Sequence, residues 1–337
     1  MPSPSAHIHE ASCAGVAPSA VAAWKTMATE LVKPTSTATK PAVAADTERS
    51  FNNLRMARSI TSGGIKSAPA GSISRPMCRF IAYLGEPILL ESLVSLPRHS
   101  LLRQSLHAVE AHTATNGDGF GVGWYGERDE PAVYRDILPA WSDDNLAALC
   151  ANVRSGLFFA HVRAATGTPV ARENCHPFRH GRHLFMHNGQ IGGYGRLRRL
   201  LETLLPDELY GMRRGATDSE LMFLLALARL GCGESVREAV VNVFREIAGR
   251  MRVAGITEPL RFSAALADGQ VLYAFRLSTD DRPPSLYLRG DAQGTVIASE
   301  PLDDGRTPWL ALPRGAVVRV TRSSYMLRQV EDLVLLG

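Results

Sequence analysis

Met77-Cys78-Arg79-Phe80-Ile81-Ala82-Tyr83-Leu84-Gly85 marks the point where the character of this chain changes. From Cys78 to Leu84 β-forming residues dominate, so the stretch reads as a strand, ended by Gly85. Residues 1–76 are different. They are rich in Ala, Ser, Thr and Pro and hold no sustained period of 2 or 3.6, the pattern of a disordered extension. That segment carries eight Lys/Arg and four Asp/Glu, and Met1 is not followed by a basic and then an apolar region, so no secretory signal is expected. The chain thus divides into an extension over 1–77 and one domain over 78–337.

Downstream of Cys78 the signals alternate. Phe120–Tyr125, Ala132–Ile137 and Leu157–Ala164 are strand-like. Ser142 is placed to cap a helix running to Val153, with Asp143 and Asp144 in its first turn. Leu184–His187 reads as a strand ending in the turn pair Asn188-Gly189. Thr217-Asp218-Ser219-Glu220 is a capping box opening a helix to about Leu230, and a second helix is expected over 234–251. The last eighty or so residues alternate strand and turn, with Asp268-Gly269 as a hairpin turn. Strands at both ends and helices in the middle predict stacked sheets with helical layers, an α+β fold.

Composition excludes several function classes. The 337 residues are 45% hydrophobic and 21% charged, enough for a large core. The net charge of +4 is spread along the chain without a long basic run, so no nucleic-acid partner is expected. The longest apolar run, Leu221–Leu230, is broken by Arg229 and is too short for a bilayer span, so no membrane partner is expected either. Five scattered cysteines do not make a disulfide framework and fit a reducing, cytoplasmic compartment.

A cysteine at the start of a strand can serve as a nucleophile whose own α-amine, titrating near neutrality, is the base. This requires Cys78 to be the first residue, through translation from Met77 or removal of a propeptide. Pro76-Met77 favours the first route. Met77-Cys78-Arg79, His161-Val162-Arg163-Ala164-Ala165-Thr166, Cys175-His176-Pro177-Phe178, His187-Asn188-Gly189 and Thr217-Asp218-Ser219-Glu220, with Ala298-Ser299-Glu300-Pro301-Leu302 near the end, together resemble the class II glutamine amidotransferases, in particular their stand-alone bacterial branch. Five motifs in the family's order are far more specific than His-Asn-Gly alone.

The resemblance implies the four-layer αββα sandwich of N-terminal-nucleophile hydrolases. It implies hydrolysis of a γ-glutamyl amide through a thioester on Cys78, with glutamine as default substrate and glutamate and ammonia as products. By the same resemblance Asn188 and Gly189 form the oxyanion hole, Arg163 grips the substrate α-carboxylate, Asp218 holds the α-ammonium, and Thr166 and His176 line the pocket. No cofactor is implied. A separate ammonia-accepting synthase and a second copy of the chain are candidate partners. The segment Leu101-Leu102-Arg103-Gln104-Ser105 is also similar to the γ-glutamyl hydrolase branch of ergothioneine biosynthesis, which makes a larger γ-glutamyl conjugate a competing substrate. A non-catalytic binding module on the same fold is the alternative of another class, and it holds if Cys78 never becomes N-terminal.

Each motif has a plainer reading. Cys78 can be a core thiol, Arg163 an ion-pair partner, Asp218 a first-turn helix residue, Asn188-Gly189 a simple turn, and His161 and His176 structural histidines. Cys175, His176, His180, His183 and His187 fit no standard zinc spacing, so no metal is expected. Asn116-Gly117-Asp118-Gly119-Phe120-Gly121 leads into a strand rather than a helix, which argues against nucleotide binding and for a border of the catalytic site.

Overall fold

The computed structural model describes residues 78–110, 117–164, 168–304 and 308–330. The extension over 1–77 and Thr166 lie outside these residues.

In chain order the elements are β1 (Arg79–Leu89), α1 (Glu91–Val94), α2 (Leu101–Glu110), β2 (Phe120–Trp124), β3 (Ala132–Asp136), α3 (Asp144–Asn152), β4 (Arg154–Val162), β5 (Phe178–His180) and β6 (His183–Ile191). There follow α4 (Tyr194–Glu202), α5 (Asp207–Tyr210), α6 (Asp218–Gly231), α7 (Val236–Val253), β7 (Leu260–Ala267) and β8 (Leu272–Ser278). The last strands are β9 (Tyr287–Gly290), β10 (Gly294–Ala298), β11 (Leu310–Ala311), β12 (Ala316–Thr321) and β13 (Ser324–Gln329). They form a sheet in the order β11-β9-β10-β1-β4-β2-β3 and a second in the order β13-β12-β8-β7-β6-β5.

The period of two along the central strands builds the layers. On β1, Phe80, Ala82 and Leu84 face the second sheet, where they pack with Met186, Ala265, Ala274 and Val318. Ile81 and Tyr83 face the other way, onto Leu93, Leu101 and Leu146 from α1–α3. The outer face of the second sheet, with Phe185, Phe262 and Phe275, packs against Leu197, Phe223, Phe244 and Ile247 of α4, α6 and α7. Both sheets are thus apolar on both faces, and the architecture is the expected αββα sandwich.

Several local expectations are corrected. Gly85 does not end the first strand. β1 continues to Leu89 past an irregularity between Leu84 and Ile88. Gly85 is there for close approach, since a Cβ on it would lie 2.2 Å from the Gln293 carbonyl oxygen. The helix expected after Ser142 is capped by Asp143, whose carboxylate accepts the Leu146 N–H at 2.6 Å, while Ser142 Oγ donates to the Pro139 carbonyl. Asn188-Gly189 is not a turn. β6 runs through it to Ile191, paired across Ser263 and Phe262 of β7. Thr217 caps α6 as expected, but Glu220 does not complete the capping box, because its carboxylate accepts the N–H groups of Arg214 and Gly215 instead. A full capping box, Ser235 with Glu238, opens α7. Helices α2 and α4 and strands β5 and β13 carried no signal strong enough to be expected.

Candidate active site

Cys78 precedes β1, in the middle of the first sheet, and is held from three sides. Ser299, just past β10, accepts the Phe80 N–H on its Oγ at 3.0 Å and donates its own N–H to the Phe80 carbonyl at 3.0 Å. Asn188 of β6 donates its side-chain amide to the Cys78 carbonyl at 2.7 Å. Past the end of β4, the Ala164 N–H points at the Cys78 sulfur at 3.4 Å. The thiol is partly exposed. Burial of its surroundings pushes its pKa up, against the opposing pull of the Ala164 N–H, Arg163 and Arg79. The thiol is therefore not ionised by its setting and needs a base.

Arg163 is 3% exposed, and its guanidinium donates only to neutral oxygens: Asp118 O at 3.3 Å, Thr168 Oγ at 2.7 Å and Pro169 O at 3.2 Å. Among the described residues it has no carboxylate partner. The Arg163 N–H continues the ladder beyond β4 by donating to Gly119 O at 2.8 Å, so the glycine-rich segment does border this site. Asp218 is the mirror case. Its carboxylate accepts the N–H groups of Ile191 and Ser219, both at 2.8 Å, and the Ser219 hydroxyl, but among the described residues pairs with no cation. A buried unpaired cation and an unpaired carboxylate are unfavourable unless a ligand of opposite charge arrives.

Gly189 stands in β6 with φ +146°, and a Cβ there would sit 2.0 Å from the Arg261 carbonyl oxygen and 2.7 Å from His187 Nε2. Gly189→Ala is expected to cost about 2–5 kcal/mol through strain and overpacking. Urea unfolding checks this, a loss below about 1 kcal/mol counting against it.

Three buried histidines surround the centre. His187 shares a hydrogen bond with Ser219 Oγ at 2.8 Å and stacks on Phe262. His161 and His176 stack on each other with ring centroids 4.2 Å apart, and none of their four ring nitrogens has a hydrogen-bond partner among the described residues. Burial lowers all three pKa values, His161 to about 3. A histidine depressed on folding stays neutral in the native state, while the unfolded chain takes up protons below about 6.5. Stability is therefore expected to fall as pH drops from about 6.5 towards 3, by up to about 1.4 kcal/mol per pH unit for each histidine. His161→Phe should flatten that slope in pH-dependent thermal melting. An unchanged slope would show that His161 is not one of the groups responsible.

The structure thus brings Cys78, Arg163, Asn188, Gly189 and Asp218 into one connected set, through Ala164 on one side and Ile191 on the other. His176 lies among them, stacked on His161 and with no free edge hydrogen-bonded to the site. Three contributors were missed from sequence: the Ala164 backbone N–H, the Ser299 anchor and the Ser219 hydroxyl. A backbone donor leaves no residue-type signal, whereas Ser219 and Ser299 stood inside quoted motifs without a role. Among the described residues, no helix is long and apolar enough to cross a membrane.

The chain is similar to known proteins over most of its length. Residues 97–283 match the family model described as Glutamine amidotransferases class-II. The chain is 31% identical over 303 residues to the probable glutamine amidotransferase DUG3 of Saccharomyces cerevisiae, covering 76% of this chain and 85% of that protein. It is 30% identical to the gamma-glutamyl-hercynylcysteine sulfoxide hydrolase of Mycolicibacterium smegmatis, over 72% of this chain and 96% of that one. The solved glutamine aminotransferase class-II domain protein of Silicibacter pomeroyi aligns with a TM-score of 0.61 at 38% identity, over 75% of this chain and 98% of its own. With more than half of its length matched by the family model, the chain belongs to the class II glutamine amidotransferases.

Proposed function

We propose that the mature chain begins at Cys78 and hydrolyses a γ-glutamyl amide. The α-amine of Cys78 takes the thiol proton, the thiolate attacks the γ-carbonyl carbon, and the amide nitrogen leaves protonated as amine or ammonia. Water then cleaves the thioester, releasing glutamate and the free thiol. Asn188 and Gly189 supply the oxyanion donors, the Asn188 side-chain amide and the Gly189 backbone N–H. Arg163 receives the α-carboxylate, where its planar fork suits a bidentate contact, and Asp218 receives the α-ammonium. Thr166 and His176 contribute to the pocket wall. The observation that carries this reading is the buried Arg163 guanidinium, lacking any carboxylate among the described residues, close enough to Cys78 to oppose the rise that burial imposes on its pKa.

Glutamine is the first substrate of this reading, with ammonia passing to a separate synthase, and a second copy of the chain is a further candidate partner. A larger γ-glutamyl conjugate is the second, supported by the similarity to the hydrolase of M. smegmatis across nearly all of that protein. Glutamate release by the Cys78-initiated chain, measured on glutamine and on a set of γ-glutamyl conjugates, separates the two. Brisk turnover of a conjugate with none of glutamine selects the second, and turnover of neither ends the enzymatic reading.

A further inference from the structure

A second cleft lies where an edge of each sheet is left open. β3 ends the first sheet and β5 the second, and the start of α6 closes the gap between them, leaving a cavity of about 480 Å³. Neither Cys78, Arg163, Asn188 nor Asp218 lines it. Its accessible apolar surface includes Val133 and Met212, over the buried rings of Phe178 and Phe223, and Arg135, Arg172, Arg179 and Arg214 stand around it.

The acidic residues of the cleft do not neutralise this set. Asp136 is taken by Arg172 at 2.7 Å. Glu220 spends both oxygens on backbone N–H groups, those of Arg214 and Gly215. Of the remaining three arginines, Arg135 donates to the Cys175 carbonyl at 3.0 Å and Arg179 to the Pro131 carbonyl at 3.1 Å, both neutral acceptors. The exposed Arg214 side chain forms no ion pair among the described residues. Glu220 and the exposed Glu173 still act on Arg135, but neither forms an ion pair with the four arginines among the described residues, and four arginines against three carboxylates leave one positive charge in excess. Burial also holds the Arg135 guanidinium below its usual pKa, with Glu220 and Glu173 opposing the shift.

We propose that this cleft between the edges of β3 and β5 binds a small organic oxyanion, carboxylate or phosphate, whose apolar body rests on Val133 and Met212. The cavity has the size of a small-molecule site, and its lining is mainly polar and arginine-rich beside a smaller apolar patch, which suits a charged ligand with a small apolar body. Arginine forks match planar carboxylate and phosphate oxygens equally, so the two chemistries share the site and differ in which probe binds tighter.

Isothermal titration of the full chain with glutarate, phenyl phosphate and inorganic phosphate tests this, with sodium chloride at equal ionic strength as the control for screening. Glutarate or phenyl phosphate is expected to bind, the tighter of the two naming the chemistry, and inorganic phosphate more weakly because it lacks the apolar body. The double variant Arg179→Met with Arg214→Met removes two exposed charges and should weaken binding at least about tenfold, leaving amide hydrolysis unchanged. Binding should persist in Arg163→Met, which separates this cleft from the catalytic centre. The proposal is overturned if no probe binds beyond the chloride control, if the double variant binds as tightly as the parent, or if Arg163→Met abolishes binding.

Discussion

A chain beginning at Cys78 is expected to cleave its γ-glutamyl amide at least about 10²-fold, and up to about 10⁴-fold, faster than the same chain with preceding residues attached. The reasoning starts at the thiol. Burial raises its pKa, and the nearby Arg163 and Arg79 charges only partly oppose that, so at neutral pH it is protonated. The three histidines near it cannot serve as the base. His161 and His176 have no hydrogen bond to the sulfur, and the ring nitrogens of His187 are spent on Ser219 and Arg261. An α-amine on Cys78 itself has the right basicity and a fixed position. A preceding residue converts it to an amide, which cannot take a proton. The rate of the Cys78-initiated chain should also rise with pH up to the amine pKa of about 7.7–8.0, a limb absent from the extended chain. Matched rates and matched pH profiles for the two chains would defeat the amine-base mechanism. Cys78→Ala in the short chain should remove turnover altogether, while Cys78→Ser should leave a small residue, since the hydroxyl is the poorer nucleophile.

The second large effect belongs to Arg163. Arg163→Met is expected to raise KM about 10²–10³-fold, with a smaller fall in kcat. The partner of a desolvated, hydrogen-bonded charge pair is worth about 2–5 kcal/mol, roughly 30- to 5,000-fold, and the expected rise lies in the middle of that span. Arg163→Lys should recover only part of it, because an ammonium cannot reproduce a bidentate contact. The guanidinium also ties Asp118, Thr168 and Pro169 together, so thermal melting must show that the variant still folds. A substrate analogue without the α-carboxylate supplies the decisive comparison. Parent and Arg163→Met should handle it equally poorly. If the variant is impaired on the analogue as much as on the natural substrate, Arg163 is a structural residue. Asp218→Asn should show the same pattern towards an analogue without the α-amine.

Much of this centre was legible from residue types. β-forming composition placed β1, β4, β7 and β12, and the helix-capping residue Thr217 placed α6. Asn188-Gly189 shows why local signals fail next to a site. The pair has the composition of a hairpin turn, yet it sits inside a strand. The glycine is required there by the Arg261 carbonyl and by the positive φ, neither of which depends on a turn. Gly85 misled in the same way, because the crowding that demands glycine comes from Gln293, more than two hundred positions away. Helix α4 begins after Gly193 without a side-chain cap, so nothing at its start announced it.

The sequence by itself determined stacked sheets with helical layers, through the order of its strand-like and helical stretches, and the four-layer αββα arrangement came from the family resemblance. The same resemblance assigned roles to Cys78, Arg163, Asn188, Gly189 and Asp218. Only the tertiary structure decided which of them lack partners. The Ala164 N–H meets the Cys78 sulfur across 86 positions and the Asn188 amide meets the Cys78 carbonyl across 110, and periodicity specifies a face but not the neighbour that face meets. The same limit applies to Arg135 and Arg214. They are ordinary surface arginines in the sequence and become a cluster only where two sheet edges lie side by side.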